Sequence, residues 1–421
     1  MIKIGVLKNT VQNYAWGSPT AIAQLLGKEN RDEKPMAELW MGSHPKAPSQ
    51  VKWDGQWRSL GEVIEKTPQL VLGSHVVQIF GNRLPFLFKV LAAARPLSIQ
   101  AHPNRDQARE GFERENRAGI PLDAFNRNYK DDNHKPEIIC ALSSFWALCG
   151  FRQIPDILAL TGEICPNTLA VERAALKNHP DSKGLKTFFS QLMGMEPGLH
   201  QRVLDEAVGN ARRRLNEDPV MGWMARLSDE YPGDIGIFTP VLLNLIELKT
   251  GQALFLPAGE LHAYLEGVGI ELMANSDNVL RGGLTSKHID VAELLRVLNF
   301  EPRPLNVLEA VETDANEKVY TEAADEFVLS VIRVETRTPY RSFEDRSVEI
   351  ILCTQGQARI ENNGATETLD IKKGTSVIIP AAVKNYRIIG QGTFYKAAVP
   401  RNPRAPNKPI RFFKRTSGAT P

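Results

Sequence analysis

From Glu326 to Val399 the chain is cut into short apolar runs: FVLSVIRV, SVEIILCTQ, GQARIE, ETLDIK, TSVIIP, NYRIIG and TFYKAAV, with turn residues between them. Runs this short cannot build long amphipathic helices. Several brief strands at such regular spacing predict a sandwich or a barrel.

The rest of the chain divides by the same test. Residues 1–150 carry apolar runs (Ala37–Met41, Pro85–Leu91, Leu97–Ala101, Ile138–Leu142) broken by Gly, Pro, Asn and Asp, again strand-like. One helix is expected there, at Arg105–Asn116, where charge is dense and Pro and β-branched residues are missing. From Phe151 to about Tyr231 the period changes. Leu185, Phe188, Phe189, Leu192 and Met193 make a helical stripe, and so do Leu199, Val203, Leu204, Ala207 and Ala211. Pro155 and Pro219 suit helix starts. Strand texture returns near Val241 and runs through Leu272, followed by a short helix at Val291–Leu298.

A weak repeat joins the two strand-rich regions. Gly251 is followed six residues later by Pro257, and Gly374 six residues later by Pro380, each pair bracketing an apolar run. Five residues past the proline the first copy has His262 and the second Asn385, so a metal ligand in one would be missing from the other.

Charge and cysteine narrow the class. With 51 Lys+Arg against 49 Asp+Glu the net charge is +2, and no nucleic-acid partner is expected. The total hides an asymmetry. Residues 401–421 carry six cations (Arg401, Arg404, Lys408, Arg411, Lys414, Arg415) and no acid, leaving 45 basic against 49 acidic groups elsewhere. Cys140, Cys149, Cys165 and Cys353 form no C-x-x-C pair, so reduced, packed thiols are expected. No apolar run reaches membrane-span or signal-peptide length, which predicts a cytoplasmic protein without a membrane partner.

Three segments concentrate chemistry. On an extended strand Ser98, Gln100 and His102 share one face while Ile99 and Ala101 share the other. An exposed strand face would look the same. DDNHKPEIICAL sets His134, Lys135 and Glu137 just ahead of an apolar strand, where a surface pair of Lys135 and Glu137 is the plain alternative. His262 and Tyr264 again share a face. Together Gln100, His102, Glu137 and His262 form an N/O donor set suited to zinc or a similar divalent ion. The segment IELMANSDNVLRGGLTSKHID adds Glu271, Asp277, Arg281 and Lys287. Its SDN is not suitably flanked by the S-x-x-K and K-T-G partners of a β-lactamase, and no G-x-G-x-x-G after a strand or P-loop occurs.

YAWGS (Tyr14–Ser18), AELWMGSHP (Ala37–Pro45), LPFLFKVL (Leu84–Leu91), LSIQAHP (Leu97–Pro103), DDNHKPE (Asp131–Glu137), HAYLEG (His262–Gly267) and ANSDNVLRGGLTSK (Ala274–Lys287) resemble, in order, the motifs of the type I mannose-6-phosphate isomerase family. The resemblance implies a mainly β fold with cupin-type jelly-roll domains and a helical insert. It implies a catalytic cupin domain in two parts (1–150 and 236–312), a helical domain (151–235), a C-terminal cupin-like domain without the metal ligands (313–400) and a basic tail (401–421). It further implies one zinc per chain on Gln100, His102, Glu137 and His262, with Arg281 catalytic. Lys135, Tyr264, Glu271 and Asp277 would line the site, and Ser98, Lys89 and Lys287 would suit the phosphate end. Proton transfer is left among His134, Lys135 and Asp277.

The expected activity is interconversion of mannose 6-phosphate and fructose 6-phosphate through a cis-enediol(ate), by a monomer whose partner is its small sugar-phosphate substrate. Two other readings fit parts of the pattern: an Fe(II) cupin dioxygenase on the same ligands, and a non-catalytic sugar-phosphate sensor. A fused nucleotidyltransferase is disfavoured, since no nucleotide motif or spare domain is present.

Overall fold

In a computed structural model of the chain, which describes residues 3–314, 316–322, 324–362 and 368–400, the apolar runs become strands. The N-terminal part supplies β1 (Gly5–Lys8), β2 (Thr10–Gln12), β3 (Glu38–Met41), β4 (Gln50–Trp53) and β5 (Gln56–Ser59). Next come β6 (Phe86–Ala93), β7 (Ile99–Ala101), β8 (Glu137–Ala141) and β9 (Phe145–Phe151). After the helices follow β10 (Leu243–Leu248), β11 (Gln252–Leu256), β12 (His262–Ala274), β13 (Leu280–Gly283) and β14 (Leu308–Glu309). The C-terminal part holds β15 (Val311–Asp314), β16 (Glu317–Val319), β17 (Val328–Val334) and β18 (Tyr340–Arg341). It closes with β19 (Glu349–Asn362), β20 (Thr368–Lys372), β21 (Ser376–Ile379) and β22 (Tyr386–Ala398).

These strands make two 11-stranded sheets. One runs β14-β11-β8-β12-β6-β3-β2, with β7, β9, β10 and β13 attached beside it. The other runs β15-β16-β17-β22-β19-β21-β1-β4-β5, with β18 and β20 attached. Alternation then divides each strand between two environments. Phe86, Phe88 and Val90 of β6, Ile138 and Cys140 of β8, and Ile270 and Leu272 of β12 pack against Leu329, Val331, Ile350, Leu352, Tyr395 and Ala397 of the second sheet. The residues between them, among them Lys89, Glu137 and Glu271, therefore face away from that shared core, and chemistry is confined to those outer faces.

The expected jelly rolls hold only in their coarser form. The architecture is mixed α/β, and along the hydrogen-bonded order each sheet stays open among the described residues. The reason lies in β12, whose first residues pair with β7 and β9 while Gly267–Ala274 pair with β6 and β8, so the strand spans two layers without sealing either. Sheet membership also departs from chain order. β1, from the extreme N-terminal part, pairs with β21 and β4, so residues 5–8 and 50–59 complete the C-terminal sheet.

The helical segment is as its periodicity predicts. Helices span Ile154–Ile164, Ala170–Asn178, Ser182–Met193, Pro197–Arg213 and Pro219–Glu230, with Pro155, Pro197 and Pro219 in their first turns. Leu185, Phe188, Phe189 and Leu192 are buried against Val203, Leu204, Ala207 and Ala211 in one core that continues under β13 to Leu280 and Leu284. The helix at Arg105–Arg117 begins with a capping box, Asn104 and Gln107 bonding reciprocally to each other's backbone N–H. Short helices at Ala21–Leu26, Leu60–Lys66, Pro68–Val71 and Ser74–Phe80 were not expected from strand-like texture. All four cysteines are buried and unpaired. The basic tail at 401–421 lies outside the described residues, and no helix among the described residues is long and apolar enough to cross a membrane.

Candidate metal centre and the cations around it

Strand ends converge to build the site. Glu137 opens β8, His262 opens β12, and His102 follows β7 directly. In the ladders Gln100 stands opposite both His262 and Arg281, so β7 lies between the strands that carry them. One ligand atom from each of His102, Glu137 and His262 lies within 4.8 Å of the others, and all three residues are buried.

Tautomers decide what this trio can hold. His102 Nδ1 is 2.7 Å from the Asn278 carbonyl, and His262 Nδ1 is 2.9 Å from the Glu260 carbonyl. A carbonyl only accepts, so each Nδ1 carries the proton and each Nε2 presents a bare lone pair. Both Nε2 atoms are buried without a hydrogen-bond partner. They face the Glu137 carboxylate at 3.4 and 3.5 Å, acceptor against acceptor. Such an arrangement is repulsive unless a cation sits between the groups, and imidazoles oriented through backbone carbonyls are what metal ligands require. Burial pushes His102 down to about 4, so it stays neutral. Burial works against the Glu137 carboxylate, but Lys135 and the two histidines hold it well below the usual range. The donor set fits a divalent ion.

The other expected residues take distinct places. Lys135 Nζ is 2.8 Å from Glu137 Oε1. Tyr264 OH points to Glu137 Oε2 at 3.5 Å, with burial raising its phenol well above the usual value. Glu271 faces Lys89 across the β12–β6 ladder, and their side chains meet at 2.7 Å. Lys89 also lies 3.5 Å from Glu38, so it differs from the other cations expected at the phosphate end: its charge is already neutralised. Ser98, half-buried, precedes β7. His134 turns to Glu326, 2.7 Å from its carboxylate, with Arg105 at 2.7 Å from the same oxygen. Asp277 sits between His44 at 3.6 Å and Lys46 at 2.8 Å. Against the pull of burial, these neighbours hold its carboxyl below the usual range.

Arg281 lies half-buried on β13, and among the described residues no carboxylate is within ion-pair distance of it. Burial lowers its proton affinity. Burial also lowers that of Lys287, with Arg281 and Lys46 adding repulsion, and Lys130 is lowered by burial, Lys46 and Arg127. Cations that depress one another in this way leave a positive region suited to an anion. The helical segment fixes this strand. A Cβ on Gly283 (φ +137°) would meet Gly236 Cα at 2.8 Å and Asp234 Oδ1 at 2.9 Å. Leu284 is then held at φ +54°, a strained position for a buried leucine.

Several groups here escaped the sequence reading. Asn278 is fully buried and binds the backbone of Lys130, Asp131 and Asn133 while its carbonyl orients His102. The readable signal was its density of polar neighbours in ANSDN. Trp40 donates to Glu38 at 2.7 Å and edges onto His44. Lys46 and Lys130 gave no signal beyond proximity in chain to GSHP and DDNH.

Known proteins resemble this chain over most of its length. A model of the type I phosphomannose isomerase catalytic domain matches residues 4–154, one of the same family's helical insertion domain matches 167–243, and one of the mannose-6-phosphate isomerase cupin domain matches 316–398. Mannose-6-phosphate isomerase of Escherichia coli K12 is 41% identical over 389 residues, covering 92% of this chain and 97% of that protein. The Mus musculus protein of the same name is 34% identical over 403 residues, covering 89% and 93%. The crystal structure of the Salmonella typhimurium enzyme bound to fructose 6-phosphate and zinc superposes with a TM-score of 0.87 at 39% identity, covering 94% of this chain and 99% of that one. Its apo form gives 0.87 at 39% identity, covering 95% and 100%.

Proposed function

Because the chain belongs to the type I mannose-6-phosphate isomerase family, we propose that it interconverts mannose 6-phosphate and fructose 6-phosphate at the His102–Glu137–His262 centre. The observation that carries this reading is the pair of buried Nε2 atoms without hydrogen-bond partners that face Glu137, with Arg281 opposite Gln100 on the neighbouring strand. One zinc per chain would be held by His102, Glu137 and His262, with Gln100 as fourth donor. When bound it supplies Lewis-acid polarisation of the sugar's reacting oxygens.

The chain's own groups account for the rest. Isomerisation moves a proton from C2 to C1 while the C2 hydroxyl becomes the carbonyl and the C1 carbonyl the hydroxyl, with no net redox change. Arg281, with no carboxylate partner among the described residues, would stabilise the negative charge that develops on the enediolate oxygens. Lys135, His134 and Asp277 are the candidates for proton transfer. Lys135 is the best supported, because its Nζ stands 2.8 Å from Glu137. Lys287 and Ser98 would take the phosphate, which anchors the substrate away from its reacting carbons. Lys89, Tyr264 and Glu271 form the floor. Paired as it is, Lys89 acts on substrate through the orientation of Glu271.

The jelly-roll reading of the sheets is supported by the match of residues 316–398 to the mannose-6-phosphate isomerase cupin domain. We read 1–150 with 236–312 as the catalytic domain, 151–235 as the helical domain and 313–400 as the C-terminal domain, with β1, β4 and β5 lent to the last. A monomeric cytoplasmic enzyme is the expected form. The test is a coupled isomerase assay after chelation and zinc add-back. Activity should vanish with the metal and return with zinc; activity that survives complete metal removal overturns the proposal.

A further inference from the structure

Glu326 is a carboxylate buried in one half of the chain and used by the other. It lies two residues ahead of β17, 1% exposed, and its neighbour Phe327 packs into the core shared by the two sheets. Both hydrogen bonds that its carboxylate makes to other residues reach into the first 150 residues. Oε1 lies 2.7 Å from His134 Nε2 and 2.7 Å from Arg105 Nη2, while Oε2 is buried without a partner. A charge buried this deeply, with half its acceptor capacity unused, adds little to stability that an apolar pair of similar volume would not.

Its two partners sit on the segments that carry the metal centre. His134 lies three residues before Glu137 and beside Lys135, whose Nζ is 2.8 Å from Glu137; Arg105 lies three residues after His102. The main chain on either side of His134 is pinned. The Asn133 carbonyl accepts from Ser276 and Asn278, and the Pro136 carbonyl accepts from the Ala274 N–H. With the backbone fixed, the ring is oriented by what holds Nε2.

That nitrogen is 2.9 Å from Arg105 Nη2 as well as 2.7 Å from Glu326 Oε1. A guanidinium only donates and a carboxylate only accepts. Were Nε2 bare, two lone pairs would meet at 2.7 Å. With the proton on Nε2, ring and guanidinium both donate to Oε1, and their closeness follows from sharing that oxygen. The neutral ring is therefore the Nε2–H form. Nδ1, which makes no hydrogen bond among the described residues, keeps its lone pair.

Given the isomerase reading above, on which this rests, we infer that Glu326 is a positioning residue: it holds His134 as the Nε2–H tautomer so that Nδ1 takes a proton from the sugar. The C-terminal part of the chain thereby contributes to the active site without supplying a metal ligand. In the step served, the O–H bond at C2 breaks as Nδ1–H forms, with Glu326 balancing the imidazolium. That N–H bond then breaks as the proton passes to the oxygen on C1, and the carbon-bound proton moves separately.

The test uses the zinc-loaded full-length chain and Glu326→Gln, which keeps the shape and removes the charge. With parental zinc content, kcat should fall about 10- to 100-fold with little change in KM. In a His134→Asn background the same substitution should lower kcat no further, because no ring is left to hold. Long-range 1H–15N spectra of the histidine-labelled parent, assigned by the signal lost in His134→Asn, should show the Nε2–H form. Parental kcat in Glu326→Gln, which a plain ion pair between the two halves predicts, overturns the inference. So does an equal loss in the His134→Asn background, or an Nδ1–H ring in the parent. Should Glu326→Gln be recovered unfolded, the parent's spectrum decides. A zinc-loaded parent without isomerase activity would count against the isomerase reading, while the spectrum would still test the tautomer, so the two fail separately.

Discussion

Replacing Lys89 by Met tests how the buried Lys89–Glu271–Glu38 cluster is held together. The ammonium lies 2.7 Å from Glu271 and 3.5 Å from Glu38. At an effective dielectric near 20 these contacts amount to about 6 and about 5 kcal/mol of attraction. Desolvating three charges offsets most of that, and breaking a buried pair on one side typically costs about 3–5 kcal/mol. Met fills similar volume, so the loss is electrostatic. It also depends on pH. Burial raises the Glu271 carboxyl above the usual range even with Lys89 beside it, and removing Lys89 raises it further. A carboxyl whose folded value lies above its unfolded one binds protons more readily when folded, so the variant loses stability as pH rises through that folded value. Urea unfolding should therefore show a larger deficit for Lys89→Met at pH 8 than at pH 5. Adding Glu271→Gln should recover most of it, since Glu38 keeps the Trp40 donor at 2.7 Å. A deficit under about 1 kcal/mol at pH 8, or a double variant no more stable than the single, would refute the reasoning.

Arg281→Ala should lower kcat on the order of 100-fold or more with a smaller change in KM; steady-state kinetics with unchanged turnover would remove Arg281 from the chemistry. His262→Ala should lose bound metal and activity together, and metal analysis finding a loaded, active variant would sink the ligand assignment. Lys287→Ala should raise KM for the sugar phosphate while largely sparing kcat, and an effect confined to kcat would move Lys287 away from the phosphate. Against the pull of burial, His134 and Arg105 hold the Glu326 carboxyl below the usual range. Its contribution is complete above the ordinary value of about 4.3 and is lost as pH falls. Glu326→Gln should therefore cost about 1–3 kcal/mol at pH 7 and little at pH 3; urea midpoints that shift equally at both would contradict it.

Local rules made part of this site legible. Alternation along PLSIQAHP puts Gln100 and His102 on one face, and the structure brings His102, Glu137 and His262 within 4.8 Å. Helical periodicity likewise located Ser182–Met193 and Pro197–Arg213. What stayed hidden is contact at long range. Nothing near Lys89 in sequence announces Glu271, nor anything near His134 the carboxylate of Glu326. Glycines misled in a different way. SVEIILCTQ and GQARIE, divided at Gly356, and NYRIIG and TFYKAAV, divided after Gly390, read as separate strands, but each pair forms a single long strand, β19 or β22, where left-handed φ values of +77° and +145° accommodate a close approach of the partner backbone. A period of two cannot distinguish a kink inside a strand from a reversal between strands.

The pairing of β1 with β21 has a consequence for how the chain is made. Gly5 waits for Ile378, about 370 residues later, and at ribosomal speeds of roughly 5–20 residues per second that is roughly 20–75 s. Until then β1 and the β4–β5 hairpin have one open edge, alternating and apolar, available to any other strand. Fragments stopped before residue 376 should therefore be the most prone to aggregate, even though they contain every residue of the metal centre. The C-terminal sheet acts for the catalytic half as a late-arriving cover, and the timing of its synthesis sets how long the nascent chain needs protection.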